Sequence, residues 1–63
     1  MISCRVLMRQ GHTEVISMKS KRGVRLLMDD IATQENPEKV YHSWERPVRI
    51  GNITRVISVE EEN

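Results

Sequence analysis

The sequence predicts a small α+β domain: a single sheet of three to four mainly antiparallel strands, with one or two short helices. Seven valines and six isoleucines supply 13 of the 24 apolar residues, and β-branched side chains suit a pleated surface. Alanine, the strongest helix former, occurs once, at Ala32. Alternating apolar segments at both ends of the chain enclose one stretch with helical spacing. Sixty-three residues with so few apolar groups can build only one core. Residues 1–59 are therefore expected as one domain, and Glu60-Glu61-Glu62-Asn63 as a frayed acidic tail.

The elements follow in chain order. Ile2, Cys4, Val6 and Met8 alternate with Ser3, Arg5 and Leu7, so residues 2–9 read as a strand with one buried face. Leu7 breaks the alternation. Gln10-Gly11-His12 fits a three-residue hairpin loop, and residues 13–19 return antiparallel, with Ile16 and Met18 on one face and Val15 on the other. Val24, Leu27, Met28 and Ile31 are spaced i, i+3, i+4, i+7, which predicts a helix with Ser20 as N-cap and Leu26 off the stripe. A strand over Val24–Met28, ended by Asp29-Asp30, is the alternative.

Asn36-Pro37-Glu38 has the chemistry of a helix start: a capping Asn, a Pro suited to the first turn and an early acid. A short helix over residues 37–44 is predicted, closed by Pro47, with a strand from Lys39 to Trp44 as the competitor. The last segment is β. Val48-Arg49-Ile50 and residues 53–59 flank Gly51-Asn52, which suits a two-residue hairpin; one long strand with a bulge at Gly51 is the alternative. Within it, Ile53, Ile57 and Val59 are expected on one face and Val56 on the other.

Several function classes are disfavoured. The longest apolar runs are three residues, far short of the ~20 that span a bilayer. The first nine residues carry arginines and no small-residue cleavage site, so they do not read as a secretory signal, and a single cysteine points to the reducing cytoplasm. Cys4, His12, His42 and the carboxylates show none of the spacings that place metal ligands on one turn or helix, so no metal and no cofactor are expected. Cys4 lies on the apolar face of a strand, where a thiol behaves as an inert small hydrophobe. The chain has no glycine-rich phosphate loop and little scaffold for a pocket, so no catalytic residue is assigned and the chain reads as a non-enzyme.

Charge is more informative. Residues 1–25 balance at +5, residues 26–45 at −4 and residues 46–63 at zero, so a chain of net charge +1 is strongly polarised. Lys19, Lys21, Arg22 and Arg25 cluster around Gly23, an arrangement able to grip phosphates or an acidic partner, or simply a solvated set of charges. The two aromatics, Tyr41 and Trp44, are too few for stacking several bases. Val48-Arg49-Ile50-Gly51 is similar to a stretch of the small CsrA-type RNA-binding dimers. The flanking strand order and the acidic middle of this chain have no counterpart there, and no family is assigned.

Tyr, Trp and Arg are enriched at protein-interface hot spots. Tyr41, Trp44, Arg46 and Arg49 therefore form the expected partner-binding set, presented by Pro47, although Trp44 also reads as a core residue. Leu7, Val15 and Val56 lie opposite the main apolar sets, which points to a symmetric homodimer. A chain of this size with its own start methionine reads as a small bacterial or viral regulatory protein that binds and modulates a larger protein partner. A nucleic-acid-binding regulator using residues 19–25 is the alternative.

Overall fold

A computed structural model describes residues 1–43 and 46–61 of the chain. The class is α+β, as expected. The described elements are β1 (Ile2–Met8), β2 (Thr13–Met18), α1 (Lys21–Thr33), β3 (Val40–His42), β4 (Pro47–Arg49), a 3-10 turn (Ile50–Asn52) and β5 (Ile53–Glu61). The expected single sheet is two ladders. One is an antiparallel sheet in the order β2-β1-β5; the other is the pair β3-β4, joined to the first by a single bridge between Ile16 and Ser43. The helix between β2 and β3 occupies the core face of the sheet, so the chain rejoins β2 only at Ser43.

The β1–β2 hairpin forms as the alternation requires. Ile2, Cys4, Val6 and Met8 are buried, and Gly11 closes the turn at φ 103°, a conformation that only glycine adopts readily. The Gly11 amide donates to Met8 O, and the Met8 amide to His12 O. On β2 the buried face holds Glu14 and Ile16, with Met18 packed at its edge. A buried carboxylate in that row was not expected.

The helical spacing gives a helix, not the alternative strand. Val24 and Leu27 are buried and Ile31 packs beside them, while Leu26 faces solvent. Met28 was expected on the stripe but is exposed, because it sits at the stripe's margin. Ser20 caps the helix as expected, its Oγ accepting from the Gly23 amide at 3.3 Å. At the other end Gln34 takes a left-handed conformation, φ 52°, which is costly for a residue with a Cβ. Its own side chain offsets this: Nε2 donates to Ile31 O and Ile50 O, both at 3.1 Å, tying the helix end to the 3-10 turn.

Of the helix expected over residues 37–44, the described part, residues 37–43, is not helical. Asn36 to Lys39 make a turn, closed by the Lys39 amide on Asn36 O, and β3 follows. Two carbonyls that a helix would use internally are taken from outside. Pro37 O accepts from the Gly51 amide and Lys39 O from the Ile50 amide, each at 2.9 Å. Tertiary pairing and the β preference of Val40 and Tyr41 outweigh the local start signal.

Gly51-Asn52 is neither a hairpin turn nor a bulge in one strand. β4 pairs with β3, β5 pairs with β1, and the two are linked by the 3-10 turn. Gly51 is required for close approach: a Cβ there would lie 3.0 Å from Pro37 Cβ and 3.2 Å from Pro37 O. The faces of β5 also differ from simple alternation. Register shifts fall between Arg5 and Val6 and between Leu7 and Met8, which leaves Ile57 and Thr54 as extra residues on β5. Ile53, Val56 and Val59 thus stand opposite the core residues Met8, Val6 and Cys4. Ile57 is exposed, and Val56, expected on the far face, packs against the core. The acidic end is partly strand, since Glu60 and Glu61 pair with Ser3 and Ile2, whose backbone extends β1 that far. Among the described residues, no helix is long and apolar enough to cross a membrane.

Candidate functional site

The residues singled out for function fall on three separate surfaces. The first joins the helix to β3. Tyr41, half-buried, donates its hydroxyl to Asp30 Oδ2 at 2.6 Å, and Lys39 Nζ pairs with the same oxygen at 3.0 Å. Lys39 also lies over the Tyr41 ring, 5.4 Å from its centroid. Tyr41 was expected to be an interface anchor. Its ring packs against the core and its hydroxyl is committed to α1, so it holds β3 to the helix. The hydrogen bond from Tyr41, followed by that from Lys39, holds the Asp30 carboxyl below its ordinary 3.8. Burial, then the bond to Asp30, raises the Tyr41 phenol above its ordinary 10.0.

These directions set a pH dependence. A carboxyl lowered by folding contributes stability that is full above its unfolded value and is lost as pH falls through the folded one. The raised phenol contributes below its unfolded value and loses that contribution as pH rises through the folded one. Tyr41→Phe is expected to cost about 1 kcal/mol at pH 7 in urea unfolding. The gap from the natural chain should narrow as pH falls below 3.8, where Asp30 takes up its proton. A gap that stays constant from neutral to strongly acidic pH would mean that the hydroxyl–carboxylate bond does not form in solution.

The second surface is a cleft of about 250 Å³ between the β1–β2 turn and β4, lined by Arg9, His12, Glu14, Arg46, Arg49 and Asn52 among others. The fold assembles it from three segments. Arg9 follows β1 and is fixed by its amide, which donates to Asn52 O at 2.8 Å. Arg46 stands just before β4, its carbonyl accepting from both the Ser43 amide and Oγ, at 3.2 and 2.7 Å. Arg49 ends β4, exposed. Beneath them, Glu14 is 8% exposed, and its Oε2 lies 3.3 Å from both Arg46 Nε and His12 Nε2. A buried carboxylate is tolerated only when paired, and these contacts supply the pairing.

Of the expected partner-binding set, Arg46 and Arg49 line this cleft together, joined by Arg9, His12 and Glu14, to which no role was given. The signal for Glu14 was its period: it stands two residues before Ile16, on the strand's apolar row. Arg9 carried no local signal, because only the pairing of β5 with β1 sets the 3-10 turn beside it. Trp44 lies outside the described residues.

The third surface is the first two turns of α1, where Lys21, Arg22 and Arg25 line a shallow groove with Leu26 and Asp29. Lys19 is exposed just before the cap. The basic cluster is thus a helix face, and its groove shares no lining residue with the arginine cleft.

Cys4 is sealed in the core, and burial pushes its thiol up. Among the described residues no three His, Cys, Asp or Glu side chains gather as a metal site would require. The chain matches no protein-family model, no curated protein and no solved structure.

Proposed function

We propose that the chain is a small, non-enzymatic interaction module that binds an acidic segment of a larger protein and modulates that partner. The observation that carries this is the convergence of Arg9, Arg46 and Arg49 on one cleft in which Glu14 is the one carboxylate among the described residues. Among the described lining residues, three guanidinium groups against one carboxylate leave an excess of two positive charges. Guanidinium forks match carboxylates in pairs and hold them well even when partly desolvated. Met8, Pro47 and Val48 add apolar wall to the cleft, so a partner segment mixing acidic and apolar residues fits it best.

A nucleic-acid partner is the second reading, favoured by the exposed Lys21, Arg22 and Arg25 on the first turns of α1, where the helix dipole adds positive potential. Against it stand the near-neutral chain and a cleft whose described lining holds no Phe, Tyr or Trp ring, His12 alone offering a face for stacking. The buried single thiol of Cys4 suits the cytoplasm as the working compartment.

Capture from a lysate before and after nuclease treatment separates the two readings. A protein retained at equal yield after nuclease supports the first. Retention that vanishes with nuclease and falls steeply with salt would replace it with the second.

A further inference from the structure

We propose that a second copy of this chain docks on the outer edge of β5, antiparallel about a twofold axis between Ile57 and Ser58, with Arg55 of each copy opposite Glu60 of the other. β5 is an outer strand: β1 pairs with one side, and among the described residues no strand pairs with the other. Such an edge is a template for a further strand unless it is guarded by lysine, proline, a bulge or cover. Residues 53–61 contain no lysine and no proline; the guards present are two bulges, at Thr54 and Ile57, and the charges of Arg55, Glu60 and Glu61, of which the proposed pairing matches Arg55 with Glu60.

The edge is complementary to itself. Pairing with β1 fixes the faces of β5. Val56 and Val59 lie on the core face, opposite Val6 and Cys4, and Arg55, Ser58 and Glu60 lie on the other, opposite Leu7, Arg5 and Ser3. Directly opposed residues in an antiparallel pair share a face. An axis between Ile57 and Ser58 sets Val56 opposite Val59 on the core face and Arg55 opposite Glu60 on the outer one. Moving the axis by half a residue, onto Ser58, sets Val56 opposite Glu60 and mixes the faces, so this register is strongly selected. The Ile57 bulge straddles the axis, so the ladder is expected as two short runs, residues 55–56 of each copy against 59–60 of the other.

The core is also unfinished at this edge. Val59 stands opposite fully buried Cys4 yet is 43% exposed. It borders a recess of about 320 Å³ shared with Ile2 and Val24 and rimmed by Lys21, Arg25 and Glu61. In the proposed register Val56 of the second copy lies beside Val59 on that face and extends the apolar core across the axis. Small domains that bury little surface alone gain most from this kind of sharing. The interface deepens the reading of the chain as an interaction module and uses no residue of the arginine cleft, so loss of either surface by mutation leaves the other testable.

Sedimentation equilibrium of the full chain tests the proposal. At tens of micromolar the natural chain is expected to sediment at twice 7.4 kDa. Arg55→Glu and Glu60→Arg are both exposed changes, and each places like charges opposite one another twice per dimer. Each is expected to weaken dimerisation about tenfold or more with unchanged circular dichroism, and the two together to restore it. A 7.4 kDa particle for the natural chain, or single variants that dimerise as well as it does, would overturn the proposal. A folded double variant that stays monomeric would do the same.

Discussion

Leu27→Ala is expected to destabilise the domain by about 3 kcal/mol, within the range for emptying a buried leucine site. Leu27 is fully buried on the one helix that covers the sheet's core face, with Val24 one turn before it and Ile31 one turn after. A domain of this length has about 3–9 kcal/mol of total stability by per-residue scaling, at roughly 0.05–0.15 kcal/mol per residue, so the loss is a large share of the whole. Leu26, its neighbour, is 52% exposed, and Leu26→Ala should change stability by about 0.5 kcal/mol or less. Urea unfolding followed by circular dichroism compares the two. Equal losses would mean that α1 docks by a different face.

That helix was legible in the sequence because its apolar spacing, its serine cap and its burial all agree. So was the N-terminal hairpin, where an alternation broken only at Leu7 and one glycine specify register and turn together. The 36–44 segment was misleading for a definable reason. Asn36, Pro37 and Glu38 are a sound local start signal, but the carbonyls of Pro37 and Lys39 are claimed by the amides of Gly51 and Ile50, more than ten residues away. No local pattern encodes that. Gly51 misled in a related way: its lack of a side chain serves contact with Pro37 rather than a reversed turn. On β5, two bulges convert a period of two into a spacing of three, Ile53, Val56, Val59, and so exchange the expected roles of Val56 and Ile57.

Arg9→Ala combined with Arg49→Ala is expected to weaken partner binding at least a hundredfold, at about 2 kcal/mol for each arginine that acts as a hot spot. Both are exposed and neither contacts Glu14 in a salt bridge, so stability should hold within about 0.5 kcal/mol. Arg46 is the poorer choice for this test. It pairs with Glu14, and removing it would leave a buried carboxylate short of a partner, mixing a folding defect with a binding one. Equilibrium binding of the captured partner to the natural and double-variant chains gives the ratio. A change of less than threefold would remove the cleft from the interface.

The candidate site was half legible. Arg46 and Arg49 stand just before and at the end of one three-residue strand and could be grouped from sequence, whereas Arg9 joins them only through the fold. Tyr41 shows the opposite case. Its hydroxyl is bonded to Asp30, a contact with no local signal, because one residue lies on a helix and the other on a strand that forms where a helix was expected.

The most direct test of the central claim, that the arginine cleft is the surface this module presents to an acidic partner, is an amide chemical-shift titration of the isotope-labelled full chain with a glutamate-rich peptide. The expected result is saturable shifts at Arg9, Gln10, His12, Arg49 and Asn52, with Lys21, Arg22 and Arg25 unmoved. Shifts confined to Lys21, Arg22 and Arg25, or none that saturate, would contradict it.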